Sequence, residues 1–365
     1  MTHRERFRAA ANFEPTDQPC HVIQGFWSQT HPAWQEQGLP PEVRDVAFSF
    51  LGESPDLCEY FDVSKFCFLN PNQYCIPAFE SEVLEETERY VIVRDGWGRT
   101  MKSSKTGPSL PQELDHPVKT REDYENYKWR LDPDAPGRWP ENWAELAVTI
   151  RDQQRQVVAP FMVGFFAHPR EICGVQGTLT LYYDDPDLMH DIINDRCEFL
   201  MRVFEPAIRA TRPDCVYIWE DMSYANGPLI SPATFREFLL PAYRRLTGFL
   251  RDLGLQTIIV DSDGDARALL PLWLEGGVDM FLPLEVNAGM DVVEIGRQYP
   301  DLRLMGGINK HALETTRGRI DAELQRVLPA MLQRGGYVVS LDHWVHPAIS
   351  LENFRYYVER VRAWK

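Results

Sequence analysis

No apolar run in this chain approaches the ~20 residues that a membrane-spanning helix requires, which argues against a helical membrane protein. The N-terminus, MTHRERFRAA, is a charged helical start rather than a secretory leader, so a cytoplasmic protein is expected. Positive charge is also short. Thirty-eight Lys and Arg face 54 Asp and Glu, leaving a net charge of −16 spread along the whole chain. Nucleic acid or an anionic membrane surface would meet mostly repulsion, and neither is expected as a partner. The seven cysteines (Cys20, Cys58, Cys67, Cys75, Cys173, Cys197 and Cys215) are odd in number and include no CxxC pair. Only Cys58, Cys67 and Cys75 form a loose group, and a zinc knuckle needs closer pairs. Buried thiols in a reducing compartment are the expectation. No GxGxxG follows a candidate strand, so a dinucleotide-binding sheet has no support.

What the chain has is core material. With 44% hydrophobic residues over 365 positions it can bury a large interior without disulfides or metals. Residues 2–11 suit a short helix capped by Thr2, stopped by EPTDQP. HVIQGF is a candidate first strand, followed by a Trp-bearing helical piece at QTHPAWQEQGLP. Pro41 is placed to open a further helix. KFCFLN at 65–70 is a second candidate strand. The segment from about 82 to 140 breaks the pattern. Asp95-Gly96 signals a hairpin, and a Pro-rich, charged stretch with one helix at 120–128 reads as a surface excursion.

From residue 141 onward, amphipathic helices alternate with the short apolar runs VVAPFMVGFF, CVYIWED, TIIVDSDGD, VDMFLPLE, LRLMGGIN and YVVSLDH. Apolar strands alternating with helices indicate a parallel sheet covered on both faces. With the two earlier strands the total is eight, which predicts a single-domain (β/α)8 TIM barrel over 1–365 with an N-terminal extension and an excursion at about 82–140. An open doubly wound sheet is the alternative.

A barrel of this kind carries its active site at the C-terminal ends of its strands. The residues there are Gln24 and Trp27, Asn70, Phe165, His168 and Arg170, Glu220, Asp221 and Tyr224, Asp261, Asp263 and Asp265, Glu285, Asn309 and Lys310, and Asp342, His343, Trp344 and His346. Acids dominate. Asp265, beside Gly264 and ahead of a helix, reads most simply as a cap. Asp261 and Asp263 alternate at a strand end, so both can face the barrel axis. Glu220 and Asp221 follow the buried run VYIW directly. His343 could be a ligand or could pack on Trp344, with Asp342 orienting it; His168, ahead of Pro169, could cap a helix or touch substrate. Clustered carboxylates need protons, a cation or a cationic substrate between them. Three routes stay open: a raised-pKa acid, a divalent metal held by Asp261, Asp263, Glu285 and His343, or Lys310 as counter-charge.

The stretches PATFREFLLPAYRRL, GLQTIIVDSDGD, GGVDMFLPLE, LRLMGGIN and DHWVHPAISLENFRYYVERV, in that order, resemble the second half of uroporphyrinogen decarboxylase superfamily barrels. RERFRAAANFEPTDQP and VGFF…DDPDLMHDI fit the same pattern. The resemblance implies two kinds of chemistry. Uroporphyrinogen decarboxylases grip an anionic tetrapyrrole with arginines after the first strand; here that segment is IQGFWSQTHPAW, without an arginine, which disfavours the heme-pathway reaction. The corrinoid-linked methyltransferases of the superfamily hold zinc with a His-x-Cys pair after the fifth strand and a Cys after the eighth. The matching positions here read Asp261-x-Asp263 and His343, a harder donor set. The resemblance therefore implies methyl transfer from a small ether or amine, with a zinc-like metal or a protonated carboxyl in the mouth and a corrinoid protein as partner. In that reading Asp261, Asp263 and His343 hold the metal or activate the substrate, Glu220 and Asp221 position it, and Trp27, Phe165 and Trp344 form an apolar wall, with His168, Tyr224, Asn309 and Lys310 as further contacts. The alternatives are a decarboxylase or lyase of a small carboxylated compound, using Lys310, His168 or Arg170 as cation, and a non-catalytic ligand-binding barrel. Relatives of the fold are often dimers, and the excursion could supply such contacts.

Overall fold

The computed structural model describes residues 1–44, 56–106 and 111–364. Helix α1 (His3–Ala11) begins at Thr2, whose side chain accepts from the Glu5 amide while the Glu5 carboxylate accepts from the Thr2 amide. This capping box is the reason the helix starts where it does. Helix α2 (Thr30–Glu36) carries Trp34 into the core. Pro41, expected to open a helix as its first residue, lies in a turn instead, and residues 41–44 are not helical. Helix α3 (Leu57–Phe61) leads into β1 (Phe66–Leu69).

The excursion is larger than a hairpin. Strands β2 (Glu82–Glu86), β3 (Tyr90–Arg94), β4 (Thr100–Ser104) and β5 (Gln112–Asp115) form an antiparallel sheet in sequence order. The inner pair turns at Asp95, as expected from Asp95-Gly96. The outer strands leave no signal in the sequence, because EVLEE and QELD are exposed throughout and charged and no apolar alternation marks them. Helix α4 (Arg121–Lys128) follows, within a residue of the expected span.

The regular part alternates as the periodicity predicts. Helix α5 (Trp143–Asp152) precedes β6 (Val157–Val163), and helices α6 (Ala167–Asp184) and α7 (Pro186–Thr211) precede β7 (Val216–Trp219). A small ribbon of β8 (Ser223–Tyr224) and β9 (Gly227–Pro228) leads through α8 (Pro232–Thr234) and α9 (Leu240–Asp252) to β10 (Ile258–Asp261). Helix α10 (Leu270–Glu275), β11 (Met280–Leu282), α11 (Val292–Gln298), β12 (Arg303–Met305), α12 (Arg317–Arg334), β13 (Tyr337–Val338) and α13 (Leu351–Arg362) complete the chain.

Strands β1, β6, β7, β10, β11, β12 and β13 lie side by side in that order, every pair parallel. The expected first strand closes the ring with little backbone of its own. His21 bridges Val339 and Val22 bridges Ser64. The Val22 amide donates to Val339 and the Ile23 amide to Ser64, at 3.0 and 2.9 Å. The result is a (β/α)8 barrel.

Inside the barrel, alternate residues point to the axis. Phe66, Val157, Ala159, Tyr217, Ile259, Met280, Leu282, Met305 and Val338 form one buried cluster with Phe7, Ala10 and Ala11 of α1. Helix α1 thus plugs the N-terminal end of the barrel, with the Phe7 and Phe66 rings edge to face at 6.3 Å. Full burial of a ring such as Phe7 contributes roughly 1.5–3 kcal/mol. Arg4 fastens the plug through an ion pair with Asp214, both side chains buried, at 2.9 Å. With the N-terminal end filled by α1, the side chains at the C-terminal strand ends are the candidates for a site.

Candidate active site at the barrel mouth

The floor of the mouth is aromatic. Tyr217 lies 5.1 Å from Phe68 and 5.6 Å from Phe161, ring centre to ring centre, with Trp219 packed on the same cluster. The run Cys215, Tyr217, Trp219 alternates on one strand face, so the signal for an inward Tyr217 was present in VYIW. Its role was not, because that depends on what stands across the barrel. The Tyr217 hydroxyl donates to Asp261 Oδ2 at 2.5 Å.

Asp261 ends β10 on the inward face, two residues beyond Ile259 of the barrel core. Burial first, and then the neighbouring charge of Asp263, push its carboxyl well above the usual carboxylate range; Tyr217 pulls the other way. Beyond it stand Asp263, Glu285 and His343, from the loops after β10, β11 and β13. One ligand atom from each lies within 4.8 Å of the other two, and all three side chains are half-buried. His343 Nε2 is 3.3 Å from Asp263 Oδ2. Burial lowers the imidazole pKa, but the hydrogen bond and charge of Asp263 outweigh it, so His343 holds its proton above the ordinary histidine value. Glu285 accepts from the Gly264 amide through Oε2 at 2.8 Å. Of the four metal ligands expected from sequence, three are brought together, and Asp261 stands beside them engaged with Tyr217. Two carboxylates and one imidazole suit a hard-to-borderline divalent ion with a coordination position left for substrate.

The opposite rim is built differently. Glu220 is fully buried, and its carboxylate accepts from the amides of Phe165, Phe166 and Ala167 at 2.8, 2.7 and 3.1 Å and from the Tyr243 hydroxyl at 2.5 Å. These amides are the unpaired N–H groups at the start of α6, whose own N-cap residue, Phe166, supplies no side-chain bond. Glu220 therefore caps a helix from a neighbouring strand, where a negative charge also suits the helix dipole. Burial raises its pKa against the pull of these four donors. Gly164 is required here, since a Cβ would lie 2.3 Å from the Glu220 carboxylate. Asp221, in a left-handed conformation at φ 46°, takes both contacts of Arg170 Nη1 at 2.7 Å, through its carbonyl and its carboxylate. The Arg170 guanidinium lies 4.9 Å from the Trp219 ring centre.

The remaining residues singled out from sequence divide between inside and rim. Phe165 is wholly buried against Tyr243, and His168 is buried with its Nε2 unpartnered and its pKa driven well below the ordinary value by burial. Neither side chain reaches an open wall. Helix α6 starts at Ala167, so Pro169 occupies its third position rather than its first. Asp342 is buried and accepts from the Val286 and Lys310 amides at 3.1 and 2.9 Å, fastening the loops after β11 and β12 to each other instead of orienting His343. Lys310 Nζ lies 4.0 Å from the same carboxylate. Asn309 caps the turn that follows it, accepting from the His311 amide at 2.9 Å. Asp265 takes the amide and guanidinium of Arg267, a local turn. At the rim, Trp27 and Tyr224 are exposed and Trp344 lies across Gly25, where a Cβ would come within 2.9 Å of the indole.

Comparison with known proteins agrees with this architecture. The profile of the uroporphyrinogen decarboxylase (URO-D) family matches residues 96–364. A uroporphyrinogen decarboxylase from Gloeobacter violaceus is 24% identical over 68% of this chain and 71% of its own length. A methylated-thiol–coenzyme M methyltransferase from Methanosarcina mazei is 27% identical over 55% of this chain, which spans about half of that enzyme, 52%. A solved methyltransferase structure from Methanosarcina mazei superposes over 99% of this chain and 98% of its own with a TM-score of 0.61 at 16% identity, the same fold. The relatives named here are enzymes of two kinds, decarboxylases and methyltransferases, and the chain belongs to the uroporphyrinogen decarboxylase (URO-D) family.

Proposed function

We propose that this barrel is a methyltransferase that takes a methyl group from a small ether or amine and passes it to a reduced corrinoid carried by a partner protein. The convergence of Asp263, Glu285 and His343 above an aromatic floor carries the reading. When bound, a divalent cation held by these three supplies Lewis-acid polarisation of the heteroatom that bears the methyl group. The floor of Phe68, Phe161 and Tyr217 receives the apolar part of the substrate and keeps water from the reacting bond. Asp261, with its raised pKa, is placed to protonate the heteroatom as the methyl–heteroatom bond breaks and its electron pair stays behind. Tyr217 holds Asp261 in position. Two cations near the mouth weigh against a carboxylated substrate, because Arg170 is engaged with Asp221 and Lys310 sits beside Asp342.

The test is a panel of methyl ethers and methylamines incubated with the protein and chemically reduced cobalamin, following methylcobalamin by its absorption. Turnover with one class, lost in the variant Asp263→Ala/Glu285→Ala/His343→Ala, is expected. Release of CO₂ from a small carboxylic acid, with no methyl transfer, would replace this reading with decarboxylation. Thermal shifts without any turnover would leave a binding protein.

A further inference from the structure

A second cluster of metal-ligating side chains lies outside the Asp263, Glu285 and His343 group. His311 belongs to the short 3-10 turn Lys310–Ala312 after β12, Glu314 follows that turn, and His346 lies in the loop after β13. One ligand atom from each lies within 4.8 Å of the other two. Both imidazoles approach the same carboxylate oxygen. His311 Nδ1 contacts Glu314 Oε1, and His346 Nε2 is 2.8 Å from it. Yet His346 Nε2, although inaccessible to solvent, has no partner with hydrogen-bond alignment. Two imidazole nitrogens drawn to one carboxylate oxygen, one of them off the line of a hydrogen bond, are the arrangement that a common third centre would draw together.

The three donors also rest on ordered backbone. The turn bearing His311 is capped by Asn309, and Thr315 Oγ1 donates to the Ala312 carbonyl at 3.0 Å. The two rings are 5.8 Å apart and tilted by 50°, so both can present a nitrogen to one point. A tetrahedral ion with bonds of about 2.1 Å keeps its ligand atoms about 3.4 Å apart; rotation of exposed His311 and half-buried Glu314 is enough to reach that spacing.

We infer that His311, Glu314 and His346 form a second metal site, for a zinc-class divalent ion with two nitrogens and one oxygen from the protein. Two imidazoles and a carboxylate are a borderline donor set that favours zinc, cobalt or nickel over magnesium or calcium. The ion ties the loop after β12 to the loop after β13, the same loops that bring Lys310 and His343 to the mouth. It lies outside the proposed methyl-transfer chemistry and does not depend on it.

The probe is Co²⁺, titrated into the chelator-stripped protein and followed by its visible absorption. The Asp263→Ala/Glu285→Ala/His343→Ala variant is expected to bind one equivalent still, and adding His311→Ala and His346→Ala is expected to abolish it. In the otherwise unchanged protein, Glu314→Gln is expected to weaken one class of sites by at least about tenfold with the circular dichroism spectrum intact. If the mouth binds no metal, the unaltered protein takes up one equivalent and His311→Ala/His346→Ala removes it, so failure of the mouth reading stays separate. A mouth variant that binds no Co²⁺, or bound Co²⁺ that is indifferent to His311, Glu314 and His346, would overturn the site.

Discussion

The two rims of the barrel mouth use the same kinds of side chain and reach opposite electrostatic outcomes. On the side of β6 and β7, every acid is matched. Glu220 takes three amides and a hydroxyl, and Asp221 takes Arg170. On the side of β10, β11 and β13, Asp261, Asp263 and Glu285 share the space with one tyrosine hydroxyl, one imidazole and one amide. The first rim is complete within the chain and works as structure. The second is short of positive charge and donors, and a cation or a cationic substrate would supply them. Acid content alone does not separate a scaffold from a site; the count of donors around each carboxylate does.

The largest effect is expected where the matched rim is broken. Glu220→Ala leaves three amides and the Tyr243 hydroxyl buried without an acceptor, and at about 1–3 kcal/mol for an unsatisfied group the loss of stability should reach roughly 3 kcal/mol or more. Urea unfolding measures it; a loss below about 1 kcal/mol would mean that Glu220 is not the cap of α6. On the open rim the contrast should reverse. His343→Ala is expected to change stability little while lowering the affinity of the mouth for a divalent ion by at least about tenfold, read by calorimetric titration in the background His311→Ala/His346→Ala. Equal stability losses at Glu220 and His343 would erase the distinction between the rims.

Acid should act through the buried histidines. Burial holds His168 far below its ordinary pKa and His21 at about 3, so both are neutral in the fold and take up protons when the chain unfolds. Their folded pKa values are depressed, so the stability they allow is intact above the unfolded histidine value, about 6.5, and declines as pH falls below it. Each contributes a slope of up to about 1.4 kcal/mol per pH unit. Unfolding free energies at neutral pH and in mild acid should diverge accordingly, and His21→Gln/His168→Gln should flatten the difference. A slope unchanged in that variant would remove the histidines from the account. The smallest effect is expected at Asp265, a local turn residue of the open side. Asp265→Ala should cost about 0.5–1 kcal/mol and leave metal binding unchanged.

Much of the architecture was legible in the residue order, because it rests on local periodicity. The apolar runs ending at Val163, Trp219 and Asp261 are strands in the structure, and Thr2 caps the first helix as its spacing with Glu5 suggests. The first strand was legible in HVIQGF, although it survives as isolated bridges at His21, Val22 and Phe26 rather than as a continuous strand. The outer strands of the excursion were not, since exposed charged residues leave no periodic trace. At the mouth, the list of strand-end residues could be written from sequence, but their partners could not. Glu220 and Asp221 are adjacent in the chain and differ wholly in environment, one inside beneath α6 and one at the rim with Arg170.

Sequence by itself determined the alternation of strands and helices, the capped first helix and the acid-rich strand ends, all properties of residues within a few positions of one another; that the first helix plugs the barrel was decided by its packing against distant strands. Tertiary structure alone decided which acids are satisfied, because Glu220 meets Tyr243 and α6, and Asp263 meets His343, only when distant strands close into a ring. It also decided that His311, Glu314 and His346 converge, since two loops far apart in the chain become neighbours only through the adjacency of β12 and β13.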